Sequence, residues 1–238
     1  MKIGMFDSGI GGITVLKKLL EDNIEREYLY YADTINLPYG EKTKEELIDI
    51  GKNIIKFFEE KEVDLIIIAC GTCSSLVDEY RKYTDIKIID VITPTIEFIK
   101  DKYKTIGLLA TESTINNKIF ETKLNENNII VEPIACPDFV PYIEGLTDTK
   151  PDMTKLNKLK DSEAIILGCT HYPLLKEEIF NYTNLPIIEM GIGISNLIKE
   201  EKSTNKHITV YVSKSTSDLE SRIENLLDKD VDIVNLDM

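Results

Sequence analysis

Two cysteines, each placed directly after a short apolar run, are the residues of this chain best placed to do chemistry. Cys70 follows Leu65–Ile68 in Ala69-Cys70-Gly71-Thr72-Cys73, and Cys169 follows Ala164–Leu167 in Gly168-Cys169-Thr170-His171-Tyr172-Pro173. A thiol has an ordinary pKa of about 8.5, so its neighbours can bring it into the range where it both takes and gives protons. Three chemistries fit these positions. In the first, two thiols work on opposite faces of one carbon, one removing a proton and the other replacing it. Asp7 would relay protons for Cys70, and His171 would orient or activate Cys169. In the second, Cys70-Gly71-Thr72-Cys73 is a C-x-x-C that forms a redox pair or, with Cys169 and His171, a Cys3His zinc set. In the third, Cys169 and His171 form a covalent nucleophile for acyl transfer, which leaves Cys70 idle. Inert buried thiols would account for the apolar runs but not for the polar turns that follow them.

The two cysteine segments are copies of one pattern. Placing Cys70 on Cys169 puts Leu65–Ile68 on Ala164–Leu167, Ala69 on Gly168, and the acid Asp64 on Glu163. Upstream, Ile3-Gly4 has an echo in Ile106-Gly107, so the offset is 99 residues at the cysteines and 103 at the glycines. A duplicated unit would present one cysteine from each half, which suits a reaction between mirror-image molecules.

The elements that must position these residues alternate. Strands are expected at residues 2–6, 27–31, 65–69, 87–91, 105–110, 129–134, 164–167, 185–188, 207–212 and 231–236, with helices between most of them. Thr43 and Glu46 form a capping box for a helix running to about residue 61. Further helices are expected over residues 14–20, from Thr93-Pro94, and over 115–124, 151–160 and 217–227. Such alternation predicts an α/β fold with doubly wound parallel sheets, whose ligands gather at the C-terminal strand ends. The first such end carries Asp7-Ser8-Gly9-Ile10-Gly11-Gly12. It fails as a dinucleotide fingerprint because Thr14 stands where the third glycine belongs. Its glycines are expected to let backbone approach a small ligand, with Asp7 and Ser8 displayed; a plain helix cap is the alternative. Helices after both cysteines would aim their N-termini at the sulfurs and favour the thiolates.

Composition narrows the partners. With 42% hydrophobic and 29% charged residues the chain is ordinary for a globular protein, and its formal net charge of −14 argues against nucleic acid and anionic membranes. An acidic ligand would need local donors in the pocket. The start lacks the basic and apolar regions of a signal peptide, and no apolar run approaches a membrane span. Four cysteines do not make a secreted disulfide scaffold. The expectation is a soluble cytoplasmic protein.

The motifs together resemble the glutamate racemases of the cofactor-independent aspartate/glutamate racemase superfamily. The resemblance is carried by Phe6-Asp7-Ser8-Gly9-Ile10-Gly11-Gly12, Ala32-Asp33, Pro38-Tyr39-Gly40-Glu41-Lys42, Ala69-Cys70 with Thr72, Cys136-Pro137 with Phe139-Val140-Pro141 and Glu144, and Gly168-Cys169-Thr170-His171-Tyr172-Pro173-Leu174. It implies interconversion of L- and D-glutamate to supply D-glutamate for peptidoglycan, with no pyridoxal phosphate and no metal. Cys70 and Cys169 would be the two proton donors and acceptors, assisted by Asp7 and His171. Ser8, Tyr39, Gly40, Thr72 and Thr170 would hold the substrate's carboxylates and amino group, with Pro38, Gly71, Thr114 and Glu144 completing the site. The resemblance further implies two pseudo-symmetric α/β domains facing each other, residues 1–93 with 207–238 and residues 94–206, and a homodimer. Several positions depart from the usual pattern: Gly71 replaces an Asn, Cys73 an Ala, and Glu189-Met190-Gly191 an Asp-Ser-Gly or Asp-Ser-Ala. Losing the Asn amide would remove hydrogen bonds to substrate, which leaves aspartate or another amino acid as the alternative substrate. From another class, a zinc- or disulfide-bearing ligand-binding protein without turnover is the alternative.

Overall fold

The computed structural model describes residues 1–22, 24, 26–198, 206–215, 218–229 and 231–236. Among the described residues ten parallel strands form two sheets. The six-stranded sheet, in the order β10-β9-β2-β1-β3-β4, contains β1 (Lys2–Asp7), β2 (Glu27–Ala32), β3 (Leu65–Ile68), β4 (Lys87–Asp90), β9 (Ile208–Val212) and β10 (Asp232–Asn235). The four-stranded sheet, in the order β6-β5-β7-β8, contains β5 (Thr105–Ala110), β6 (Ile130–Ala135), β7 (Ala164–Leu167) and β8 (Ile187–Glu189). The helices are α1 (Ile13–Glu21), α2 (Lys44–Glu60), α3 (Gly71–Ser74), α4 (Val77–Tyr80), α5 (Ile92–Ile99), α6 (Glu112–Asn116), α7 (Ile119–Glu126), α8 (Phe139–Ile143), α9 (Lys176–Thr183) and α10 (Leu219–Leu227). All-apolar runs such as Leu-Ile-Ile-Ile in β3 and Ala-Ile-Ile-Leu in β7 are fully buried, as strands covered on both faces must be.

The repeat seen in the sequence is a repeat of topology. The order β2-β1-β3-β4 recurs as β6-β5-β7-β8, each central strand flanked by the strand that leads to a cysteine. Ile3 pairs with Leu65, and Ile106 pairs with Ala164, so the register matches as well. The acid before each cysteine strand ties down the start of the central strand in the same way. Asp64 accepts from the Lys2 amide at 2.7 Å and Glu163 from the Thr105 amide at 3.0 Å. Gly4 and Gly107 share a reason too. A Cβ at Gly4 would sit 2.8 Å from the Phe58 ring, and one at Gly107 would sit 3.0 Å from Leu159, because an element crosses each central strand closely.

Several boundaries differ from expectation for local reasons. The helix expected over residues 115–124 is two helices. Thr111 caps α6 by accepting the Thr114 amide, which moves the start forward, and Lys118 in the left-handed region (φ 55°) separates α6 from α7. Helix α5 begins before Thr93-Pro94 because the Asp90 carboxylate takes the amides of Ile92 and Thr93 at 2.9 and 2.7 Å. The element expected over residues 151–160 is a 3-10 helix, Met153–Leu159. The last helix was expected to begin at residue 217, which lies outside the described residues; α10 begins at Leu219. The Thr43–Glu46 capping box of α2 is present in full. No helix among the described residues is long and apolar enough to cross a membrane.

Candidate active site

Cys70 and Cys169 line one cavity of about 140 Å³, to which both sheets contribute. From the six-stranded sheet come Asp7 and Ser8 at the end of β1, Cys70, Gly71 and Thr72 after β3, and Pro38, Tyr39 and Gly40 from the loop after β2. From the four-stranded sheet come Cys169, Thr170 and His171 after β7, with Thr111 and Glu112 after β5. Cys136, Pro137, Val140 and Pro141 form an apolar wall after β6. The C-terminal strand ends thus converge from both sides, as an open parallel sheet places its ligands. Thr114 and Glu144 stand one layer behind the lining. Thr114 bonds the Thr72 and Thr111 hydroxyls at 3.4 and 2.9 Å, and Glu144 bonds His171.

The two thiols have unlike neighbours. Cys70 lies beside Asp7 and Cys73; hydrogen bonding to Cys73, burial and the Cys73 and Asp7 charges push its thiol well above the ordinary range. The helix terminus expected after Cys70 is present, with Cys70 at the N-cap of α3, and the Cys73 amide pulls toward the thiolate, but the raising influences outweigh it. Burial likewise raises Asp7, against the pull of His171 and the Gly12 amide, which donates to Oδ2 at 2.7 Å. The Thr170 hydroxyl donates to the same oxygen at 3.3 Å, while the buried Oδ1 has no hydrogen-bond partner. On the other side, His171 is 2% exposed, with Nδ1 3.8 Å from Cys169 Sγ and Nε2 2.6 Å from Glu144 Oε1. Burial works against its charged form, but Cys169, Glu144 and Asp7 outweigh burial and hold the imidazole well above its usual value. Glu144, although buried, is drawn below its usual range by His171 and Arg222. Burial pushes the Cys136 thiol up to about 12, so it stays protonated at neutral pH.

The glycine-rich turn does something other than expected. A Cβ at Gly11 would lie 2.4 Å from His171 Nδ1, one at Gly9 3.3 Å from Glu144 Oε1, and one at Gly12 2.6 Å from the Tyr30 hydroxyl. Gly11 and Gly9 leave room for the His171 imidazole and the Glu144 carboxylate from the other sheet, Gly12 leaves room for Tyr30 of its own sheet, and none of the three lines the cavity. Tyr39 is fixed by Asp33, whose Oδ2 accepts its hydroxyl at 2.6 Å; Ser213, after β9, donates to Asp33 Oδ1 at 3.2 Å. Arg222, which nothing in the local sequence marks, reaches Glu144 from α10. All four cysteines are free, and among the described residues no three His, Cys, Asp or Glu side chains are grouped to hold a metal ion. The Cys70, Cys73, Cys169 and His171 set therefore does not form a zinc site.

The family described as Asp/Glu/Hydantoin racemase matches residues 15–191. The chain belongs to that family. It is an amino-acid racemase, an isomerase. The glutamate racemase of Hydrogenobaculum sp. (strain Y04AAS1) is 36% identical to it, over 92% of this chain and 91% of the relative. The crystal structure of glutamate racemase from Francisella tularensis subsp. tularensis SCHU S4 in complex with D-glutamate superposes with a TM-score of 0.85 at 29% identity, covering 98% of this chain and 95% of that one. The aspartate racemase of Picrophilus torridus overlays with a TM-score of 0.55 at 22% identity, over 79% of this chain and 88% of that one, a likeness of fold alone.

Proposed function

We propose that the chain interconverts L- and D-glutamate by moving the α-proton between two thiols, Cys70 on one face of the substrate carbon and Cys169 on the other, and so supplies D-glutamate for peptidoglycan. The observation that carries this reading is that the two cysteines, at equivalent positions of two repeated sheets, line one cavity. A proton acceptor on one face and a donor on the other is what inversion at a carbon requires. Cys70, pushed up by its surroundings, rests as the acid. To act as base it passes its proton to the neighbouring Asp7, which burial makes readier to hold a proton than an exposed carboxylate and whose Oδ1 has room for it. Cys169 exchanges its proton with the His171 imidazole, held by Glu144. The hydroxyls of Ser8, Thr72 and Thr170 and the backbone at Tyr39 and Gly40 receive the carboxylates and the amino group. Local donors of this kind are what an acidic substrate needs in a chain of net charge −14.

In this reading residues 1–93 with 207–238 form one jaw and residues 94–206 the other, and the enzyme works as a cytoplasmic homodimer, as the family resemblance implies. The test is circular dichroism of purified enzyme with L- or D-glutamate, and then aspartate, in deuterated water. Wild type is expected to racemise glutamate and to place deuterium at the α-carbon, whereas Cys70→Ser and Cys169→Ser each lose racemisation. Either serine variant turning over at the wild-type rate would sink the two-thiol assignment, and faster turnover of aspartate would reassign the substrate.

A further inference from the structure

The imidazole beside Cys169 is held at two removes by a residue from the end of the chain. Glu144, at the C-terminus of α8, is the link: its Oε1 lies 2.6 Å from His171 Nε2 and its Oε2 lies 3.2 Å from Arg222 Nη1. The second arm of the same guanidinium donates to the Ile143 carbonyl at 3.0 Å. Arg222 therefore grips both the backbone that presents Glu144 and the carboxylate itself, the two-point geometry for which a planar guanidinium is suited and an ammonium is not. The side chains of His171 and Glu144 are 3% and 6% exposed, so a change in their arrangement cannot be taken up by water. Arg222 sits on α10, between β9 and β10 of the six-stranded sheet, whereas Glu144 and His171 follow strands of the four-stranded sheet.

The groups around His171 leave Glu144 as the side chain that aims the ring. Cys169 faces Nδ1, the Asp7 charge acts from β1, and Gly11 presents a close backbone wall to the ring. A carboxylate free to rotate would still attract the imidazole but would not fix where Nδ1 points. We infer that Arg222 is a positioning residue of the active site, clamping Glu144 so that Glu144 holds His171 with Nδ1 toward Cys169. Arg222 does not line the cavity and touches no reacting atom, so its loss would lower turnover with little effect on substrate binding. A misplacement of about 1 Å at a reacting group costs on the order of 100-fold, and a loosened ring would cost roughly tenfold.

The inference rests on the proposed racemase reading, and the experiment separates the two. Wild type, Arg222→Met, Arg222→Gln and Arg222→Lys are compared for glutamate kcat and KM, and by proton NMR for the downfield ring N–H of His171. The chain has only two histidines, and His207 is half exposed, so a His207→Asn control assigns the signal. The expected result is a kcat lower by about tenfold in Arg222→Met and Arg222→Gln with KM within twofold, and a His171 N–H signal moved upfield or lost to exchange. Arg222→Lys, keeping charge without the fork, should fall between. An unchanged kcat, or a lowered kcat with the His171 signal in place, would overturn the clamp. If wild type fails to racemise glutamate, the functional reading falls; the NMR comparison still decides whether Arg222 holds the imidazole.

Discussion

Gly71 is the point at which one added atom tests how closely the two thiol turns must meet. A Cβ there would lie 2.5 Å from the carbonyl oxygen of Gly168, the residue just before Cys169, and 3.0 Å from Met190 Cε. Contacts of a Cβ essentially never fall below 3.0 Å and rarely below 3.4 Å, so the Gly168 carbonyl must retreat by about 0.5 Å at least and about 0.9 Å for comfort. Met190 can swing its methyl away; a backbone carbonyl between a buried strand and Cys169 cannot. Gly71→Ala therefore pries the Cys70 turn from the Cys169 turn. With a 1 Å misplacement at the reacting groups worth on the order of 100-fold, kcat/KM for glutamate should fall between about 10- and 100-fold. Overpacking of this kind costs about 1–3 kcal/mol of stability, so the fold should survive. The assay is racemisation followed by circular dichroism in both directions, with far-UV spectra as the fold control. A companion Gly71→Ala/Met190→Ala enzyme should remain slow, because the obstacle is backbone. Wild-type kcat/KM in Gly71→Ala would refute the claim that this contact spaces the thiols, and full rescue by Met190→Ala would place the constraint on the methionine instead.

Two further outcomes follow from the same structure. Thr43→Ala removes the hydroxyl that accepts the Glu46 amide at the start of α2 and should cost about 1 kcal/mol in denaturant unfolding with turnover unchanged, since α2 lies outside the cavity. The His171–Glu144 pair makes stability depend on pH with a defined sign. A histidine held above its ordinary value contributes fully below about pH 6.5 and loses that contribution as pH rises through its folded value. A glutamate held below its ordinary value contributes fully above about pH 4.5 and loses it as pH falls. The gap in unfolding midpoint between wild type and Glu144→Gln should therefore be widest at about pH 5–6.5 and narrow on the alkaline side; a gap constant with pH would count against the charged pair.

How much of this was readable in the chain depends on how local each cause is. The strands leading to Cys70 and Cys169 were legible because apolar runs between acids and polar turns have few other uses, and the repeat was legible because both halves kept their glycine and their acid. The capping box of α2 was legible for the same reason: Thr43 and Glu46 satisfy each other. The break at Lys118 was not, because a left-handed residue other than glycine leaves no mark in composition. Glycines 9 and 11 showed that something comes close, but what comes close is Glu144 and His171, more than 130 positions away, and no local pattern names them. Cys73 was visible as half of a C-x-x-C, yet its effect, raising its neighbour's pKa, depends on the burial of both. Arg222 was invisible altogether, since an arginine on an amphipathic helix reads as surface until the fold brings it to a buried carboxylate.

The return of the chain's end to its beginning has a consequence for how the protein is made. Strand β9 pairs with β2, and Thr34 bonds the Lys214 carbonyl across 180 residues of sequence. While the chain leaves the ribosome, the whole four-stranded half can be completed before the outer edge of β2 has a neighbour. Until then the nascent molecule carries the Tyr-Leu-Tyr-Tyr of β2 as an open edge, the kind of surface that invites pairing with another chain. A product cut short before residue 208 would therefore have both cysteines and no activity to show for them. It would lack the two strands that extend the first sheet beyond β2, the Ser213 that braces Asp33 and Tyr39, and the arginine that steadies the imidazole. Synthesis completes the site only once β9 and α10 have been made.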